Sequence, residues 1–289
     1  LGKTVVVVGA TGKQGGAAAA HLLRGGWHVR AVTRNAQSPA AAALTAAGAE
    51  VVVADMDDPA SLGRAFAGAH GVFSVQPAPH DPGAPMGYST EVEVRWGRNV
   101  ADAAAAAGVA HLVYASLVEA EQRTGVPSFD SKWEVERHIR SLGLPTTVLR
   151  PVTFMDGLVL SKDVLDGSFT HVLDPDTRYQ LIGVDDIGAF ASLVFAAPEE
   201  YVGRSLTIAG DERTPREVAT VLGRALGHPV AYHQIPMDLI RRHDPGLASV
   251  FDAPPATKAD VAALRVAHPG LMTFEAWLSR HGRAKLAGL

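Results

Sequence analysis

Near the amino end, Gly9-Ala10-Thr11-Gly12-Lys13-Gln14-Gly15-Gly16 spaces its glycines G-x-x-G-x-x-G between an apolar run, Thr4 to Val8, and an alanine-rich stretch. A loop of this kind can hold a diphosphate. Gly9 permits a tight turn, Gly12 lets the backbone come close to the anion, and Gly15 lets the following helix pack on the strand. Exposed N–H groups and the helix dipole favour negative charge there, and Thr11 and Gln14 offer side-chain donors. A glycine-rich turn that binds nothing is the competing reading. The preceding strand, the following helix and the short distance from the amino end all weigh against it.

The next strand ends carry further candidates. In NAD-binding folds an acidic residue about 20 residues beyond the glycines accepts hydrogen bonds from the adenosine ribose. Here the second strand ends Val32-Thr33-Arg34-Asn35, with no carboxylate at its tip. Arg34, helped by Lys13, suits the 2′-phosphate of NADP. A charge-assisted contact of about 1.5–3 kcal/mol favours NADP over NAD by roughly tenfold to a hundredfold. A solvated surface arginine is the alternative. Asp55-Met56 suit an adenine edge and face, although Asp55 could equally cap the next helix or sit in a turn. Gln76-Pro77 follow the fourth strand and should pass beneath the central ribose, since ligands bind at the carboxyl ends of strands in open sheets.

These residues need an alternating frame to hold them. Thr4 to Val8, His28 to Arg34, Glu50 to Ala54, Gly71 to Val75, His111 to Ala115 and Thr146 to Arg150 read as strands, nearly all apolar as in sheets covered on both faces. Helices are expected at Gln14–Arg24, Pro39–Ala47, Pro59–Ala67, Glu91–Ala107 and Ser131–Leu142. The alternation predicts an α/β fold: a Rossmann-like, doubly wound parallel sheet over residues 1–152. Beyond Pro151 the rhythm breaks. A helix near Val184–Ala196, a strand Ser205 to Gly210, a helix near Pro215–Leu226 and a terminal helix near Phe274–His281 are expected, separated by loop-rich stretches. Residues 153–289 are therefore expected to form mainly a smaller substrate lobe, with a segment near 183–210 returning to the sheet.

Composition narrows the function. With 289 residues the chain needs no staples, and with no cysteine it excludes thiol catalysis, zinc-thiolate sites and iron–sulfur clusters. Twenty-six Lys and Arg against 30 Asp and Glu give a net charge of −4, a poor footprint for nucleic-acid binding. No apolar run approaches the roughly 18 residues of a membrane span, and no signal peptide is visible, so the cytoplasm is the default expectation. The histidines show no metal-binding spacing, and no G-x-S-x-G elbow occurs. Asp185 and Asp186 are expected to cap a helix, and Arg280, His281, Arg283 and Lys285 to form a solvated tail.

GATGKQG with VTR closing the second strand, DAAAAAGVAHLVYAS, SKWEVERHIRSLGLPTTVLRP and IGVDDIG together resemble the NmrA-like family of atypical short-chain dehydrogenases/reductases, over about residues 4–215. The family includes NADP-binding redox sensors, NAD(P)H-dependent quinone reductases and reductases of secondary metabolism. The resemblance implies phosphate contacts at Gly9 to Gln14, with Arg34 on the 2′-phosphate, Asp55 and Met56 at adenine, and Gln76 and Pro77 near the ribose. It also implies Lys132 against the nicotinamide ribose, and Thr153, Phe154, Met155 and Asp156 beside the nicotinamide.

The nicotinamide end departs from the ordinary pattern. Short-chain reductases use a serine with Tyr-x-x-x-Lys, the lysine easing proton donation from the tyrosine. Here Ser116 and Lys132 are in place, but Ser128 stands where the tyrosine would be. Lys132 has three readings: it orients the ribose, donates a proton itself, or pairs with Glu136 one turn on. Tyr114 is expected to be packed rather than poised. The proline-rich stretch from Gln76 to Thr90 suits a lid or substrate wall. His80 within it is a proton-donor candidate or an ordinary loop histidine, and Phe154, Met155 and Phe251 line an acceptor pocket or serve as core. The leading expectation is an NADPH-dependent reductase of a small apolar or aromatic acceptor such as a quinone, enone or carbonyl compound. The rival is a noncatalytic NADP(H) sensor acting through protein contacts. A homodimer and a regulatory protein partner are both left open.

Overall fold

The computed structural model describes residues 2–77, 84, 86–122, 125–158, 162–243, 245–251, 258–282 and 286. The chain divides into two compact units, residues 1–150 with 187–206, and residues 151–186 with 207–289.

The first unit is built on strands β1 (Thr4–Val7), β2 (His28–Thr33), β3 (Glu50–Val53), β4 (Gly71–Ser74), β5 (His111–Ala115) and β6 (Thr146–Pro151). Helices α1 (Lys13–Arg24), α2 (Pro39–Ala46), α3 (Pro59–Phe66), α4 (Thr90–Ala106) and α5 (Pro127–Ser141) connect them. The strand Ser205–Ile208 joins at one border, giving the order Ser205–Ile208, β6, β5, β4, β1, β2, β3. Pairing is parallel from β3 through to β6. This is the expected doubly wound sheet. Strand order reverses between β1 and β4, which opens a crevice at their carboxyl ends. β4 and β5 are buried along their whole length, so they carry apolar residues on both faces, as the sequence predicts.

Helix ends follow local chemistry. Ser38, Asp58 and Ser89 cap α2, α3 and α4 through their side chains. α5 begins four residues earlier than expected, because Pro127 at its first turn has its φ pre-set for a helix. Two contacts bring helices unusually close. A Cβ at Gly97 would lie 2.6 Å from Val135, so α4 packs tightly on α5, and one at Gly188 would lie 2.5 Å from the Ala17 backbone.

The second unit holds a three-stranded sheet of Asp211–Arg213, Tyr179–Ile182 and Thr153–Phe154, and a parallel pair Ser168–His171 with Ala231–Gln234. Thr214 and Glu217 form a capping box on the helix Pro215–Leu226. Its core includes Met155, Leu181, Val218, Leu222, Phe274 and Trp277. Stretches expected to be loops thus contain strands of two to four residues, too short to show a period. The expected terminal helix is present as Phe274–Trp277 continued by Leu278–Gly282, with Leu278 buried in this core; of the expected solvated cluster Arg280 is exposed, whereas His281 is half-buried. Arg283 and Lys285 lie outside the described residues. No helix among the described residues is long and apolar enough to cross a membrane.

Candidate functional site

The glycine loop has steric reasons for every glycine that the spacing singled out as structural. Gly9 has φ +74°, and a Cβ there would sit 2.9 Å from Val75 Cγ1. At Gly15 a Cβ would lie 2.1 Å from the Gly9 carbonyl oxygen, so the first turn of α1 rests directly on the loop. Gly12 N–H donates to that same oxygen at 2.9 Å. Gly12 is the N-cap of α1, no side chain caps the helix and no acidic residue lies in its first turn. The first N–H groups of the helix are therefore left for a ligand or water. Gln14 Oε1 is buried with no hydrogen-bond partner among the described residues, while Thr11 and Lys13 are exposed. A glycine cradle with vacant donors fits a dinucleotide diphosphate.

At the ends of the neighbouring strands, Arg34 is exposed, meets no carboxylate among the described residues, and lies over the Trp96 ring at 5.8 Å. Asp55 sits in a turn, its Oδ1 accepting from Asp57 N–H at 2.9 Å. It does not cap α3; Asp58 does so, accepting from Ala60 and Ser61 N–H. Met56 is half-buried. Gln76 is 2% exposed; its amide donates to Ser74 Oγ at 3.0 Å, and its Oε1 has no partner among the described residues. Pro77 is half-buried beside it. His80 lies outside the described residues, with Pro79, Pro82 and Pro85 of the expected lid.

Around Lys132 and Ser116 the interior is already organised by carboxylates. Lys132 Nζ meets Glu93 Oε1 at 2.6 Å, off the hydrogen-bonding direction, and lies 3.3 Å from the Gln76 carbonyl. Ser131, the preceding residue, donates to Glu93 Oε2 at 2.7 Å. One of the three readings of Lys132, a pair with Glu136, does not occur, because Glu136 has other partners. It accepts from Ser116 Oγ at 2.6 Å and from both Nε (3.1 Å) and Nη2 (2.7 Å) of Arg150. Arg140 adds a contact at 2.8 Å, and Arg150 also pairs with Glu121. Ser116 is thus a buried donor to a carboxylate rather than a free hydroxyl. Tyr114 is fully buried, with its ring 5.9 Å from Lys132 Nζ. Burial, with Glu93 and Glu136 nearby, pushes its phenol well above the ordinary value, so it is packed and holds its proton.

In the second unit, Thr153 is exposed and Phe154 half-buried. Met155 is fully buried in the unit's core, so of the two readings of its side chain, pocket lining or core, this burial matches core. Asp156 accepts from Val184 N–H at 2.9 Å, serving the start of the helix Val184–Ala196. Asp186, expected to cap that helix, instead accepts from Met272 N–H and lies 3.3 Å from His268 Nε2. Phe251 meets His171 edge-on at 5.8 Å.

Sequence reasoning missed Glu93, Arg150 and Trp96, and saw Glu136 only as a candidate partner of Lys132. A signal existed. On α4 the buried residues Glu93, Trp96, Gly97, Val100, Ala101 and Ala104 recur at helical spacing, and on α5 Lys132, Val135, Glu136 and Ile139 do the same. A carboxylate inside an apolar stripe must have a buried partner.

Comparison with known proteins places the chain among relatives. The family model described as the NmrA-like family matches residues 2–258. An NmrA-like family domain-containing oxidoreductase from Cladobotryum, FrzB, is 34% identical over 230 residues, covering 69% of this chain and 66% of that protein. A (4-alkanoyl-5-oxo-2,5-dihydrofuran-3-yl)methyl phosphate reductase from Streptomyces griseus is 30% identical over 255 residues, 86% of this chain and 84% of its own. The chain therefore spans just under two thirds of the first relative's length and most of the second's. Among solved structures, NmrA, a negative transcriptional regulator in complex with NADP, superposes with a TM-score of 0.79 at 22% identity, covering 99% of this chain and 97% of that one. That likeness is one of fold.

Proposed function

The chain belongs to the NmrA-like family, and on that premise we propose that it is a reductase that moves hydride from NADPH to a small organic acceptor, a quinone, enone or carbonyl compound. The observation that carries this reading is the uncapped start of α1, seated on Gly9 through Gly15 with its first donors unclaimed. Gly9 to Gln14 would hold the diphosphate, and Arg34 with Lys13 the 2′-phosphate. Asp55 and Met56 would meet adenine, and Gln76 and Pro77 the ribose. Lys132 would present its ammonium to the nicotinamide ribose, and Thr153 and Phe154 would lie beside the nicotinamide. The nicotinamide, when bound, supplies the hydride.

What the chain contributes to chemistry is placement. The ammonium of Lys132 is held by Glu93, and the proton of Ser116 is directed to Glu136, so neither replaces the missing tyrosine as a strong local acid. This favours acceptors whose reduced form is a delocalised anion that takes its proton from water, as a quinone or a conjugated enone gives. The names of the relatives support a reductase of organic compounds in general. Those same committed side chains favour a second reading, a noncatalytic NADP(H) sensor that works through protein contacts.

Following NADPH oxidation across a panel of quinones, enones and carbonyl compounds separates the two. Turnover with any acceptor supports the enzyme. No turnover at all, together with much tighter binding of one redox form of the cofactor, supports the sensor. In either case Arg34→Ser is expected to weaken NADPH binding by about tenfold to a hundredfold and to leave NADH nearly unchanged. Equal losses for both cofactors would remove Arg34 from the 2′-phosphate.

A further inference from the structure

One turn of α4 is fastened to the carboxyl ends of two neighbouring strands. Arg95 grips Asp57 with both prongs, Nε to Oδ1 at 2.7 Å and Nη2 to Oδ2 at 3.2 Å. That guanidinium holds the Asp57 carboxyl below its usual range, so this carboxylate is already matched with a cation. Asn99 Nδ2 donates to the Met56 carbonyl at 2.8 Å. Between these two, Trp96 faces Arg34 at the end of β2, with the guanidinium carbon 5.8 Å from the ring centroid. Trp96 is 5% exposed, and Tyr88 packs on it with centroids 5.1 Å apart and planes at 54°. The indole is thus set in the wall, while Arg34 stands in solvent.

We propose that Trp96 is the positioning residue for cofactor choice: its ring holds the Arg34 guanidinium in place for the 2′-phosphate of NADP(H). This rests on the NADP(H) reading above. An arginine held by a carboxylate would spend its charge and some of its N–H donors on that partner. An aromatic ring attracts the cation through its π face and leaves all five N–H donors for phosphate oxygens. It also removes rotamer freedom in advance, which a solvent-exposed arginine would otherwise lose on binding. NAD, with a hydroxyl in place of the phosphate, draws little from that arrangement, so Trp96 acts on the choice between the two cofactors.

Calorimetric titration of NADP+ and NAD+ into wild type, W96L, W96F, R34S and the R34S/W96L double variant tests this. W96L is expected to weaken NADP+ by about threefold to tenfold with little change for NAD+, and W96F, which keeps an aromatic face, to stay close to wild type. In the R34S background W96L should add nothing, because the arginine it positions is gone. Equal weakening of both cofactors by W96L, or an undiminished W96L effect in the R34S background, overturns the proposal. Arg34 is exposed, so Arg34→Lys probes the same contact should W96L fail to fold. Lysine keeps the charge but lacks the planar fork that stacks, and unchanged NADP+ affinity in R34K also overturns the proposal. If wild type takes up neither cofactor, or R34S leaves NADP+ untouched, the underlying NADP(H) reading fails, and the proposal fails with it.

Discussion

The start of α1 and the facing sides of α4 and α5 solve opposite problems within one unit. At α1 the polar groups are main-chain N–H donors, no side chain caps them, and their position is set by glycines too crowded to carry a Cβ. On the buried faces of α4 and α5 the polar groups are side chains, and each carboxylate already serves two or more partners: Glu93 of α4 serves Lys132 and Ser131 of α5, and Glu136 of α5 serves Arg140 and, at the ends of β5 and β6, Ser116 and Arg150. The first arrangement is ready for an anion from outside. The second is complete without one. A cleft can therefore bind through backbone that folding leaves unsatisfied while its walls are stiffened by ion pairs already formed before a ligand arrives.

Breaking the comparison from its self-satisfied side should give the largest effect. Glu136→Ala takes an acceptor from two guanidinium groups and from the Ser116 hydroxyl, leaving the buried Arg150 with Glu121 alone, and is expected to cost about 3–5 kcal/mol of unfolding free energy in urea titration. Cofactor affinity in the folded fraction should change little. A loss below about 1 kcal/mol would mean that the cluster is not the stiffener described. Gly15→Ala attacks the other side. Its methyl must displace the Gly9 carbonyl, 2.1 Å from the built Cβ, so about 1–3 kcal/mol of stability should be lost, and calorimetry should detect no cofactor uptake. The two variants should thus cross, one failing mainly in stability and the other mainly in binding.

The smallest effect concerns groups satisfied only while neutral. His111 Nε2 lies 2.8 Å from Thr147 Oγ1, whose own proton goes to the Tyr201 carbonyl. The ring therefore carries its hydrogen on Nε2, and Nδ1 is buried with no partner among the described residues. Burial pushes His111 down to about 4, and His171 in the second unit likewise. Between about pH 6.5 and 4 the unfolded chain binds protons that the folded chain refuses, so stability is full above 6.5 and falls as pH drops through this window. Chemical denaturation across that range should show the slope, and His111→Gln should flatten it. A slope unchanged by the substitution would show that His111 is protonated in the fold as easily as outside it.

Strands β1 to β6 and helices α1 to α5 were legible because each is a local pattern: an apolar run, a capping residue, a glycine at a turn. The loop from Gly9 to Gly16 was legible for the same reason. Arg34 could be placed at a strand end by counting from the glycines, but its ring partner could not, since Trp96 is 62 positions further along and belongs to another element. The clusters around Glu93 and Glu136 join residues up to 39 positions apart, and only a charge inside an apolar helical stripe announced them. For Lys132 the sequence offers only a helical neighbour, Glu136, as an ionic partner, and tertiary packing gives it Glu93 instead. The second unit was least legible, because strands of two to four residues are held by their neighbours and not by their own periodicity.

The backbone contact between Gly188 and Ala17 ties the first unit to a stretch that reaches the ribosome's exit only after residues 151–186 have passed through. Until Ile187–Leu206 emerges, α1 has no cover along Ala17 and β6 remains an open border. The amino half must therefore wait, partly assembled, while the first part of the other unit is synthesised. A nascent chain arrested near Arg150 would show both the open border and the bare helix to chaperones, and any pause in translation there lengthens that exposure.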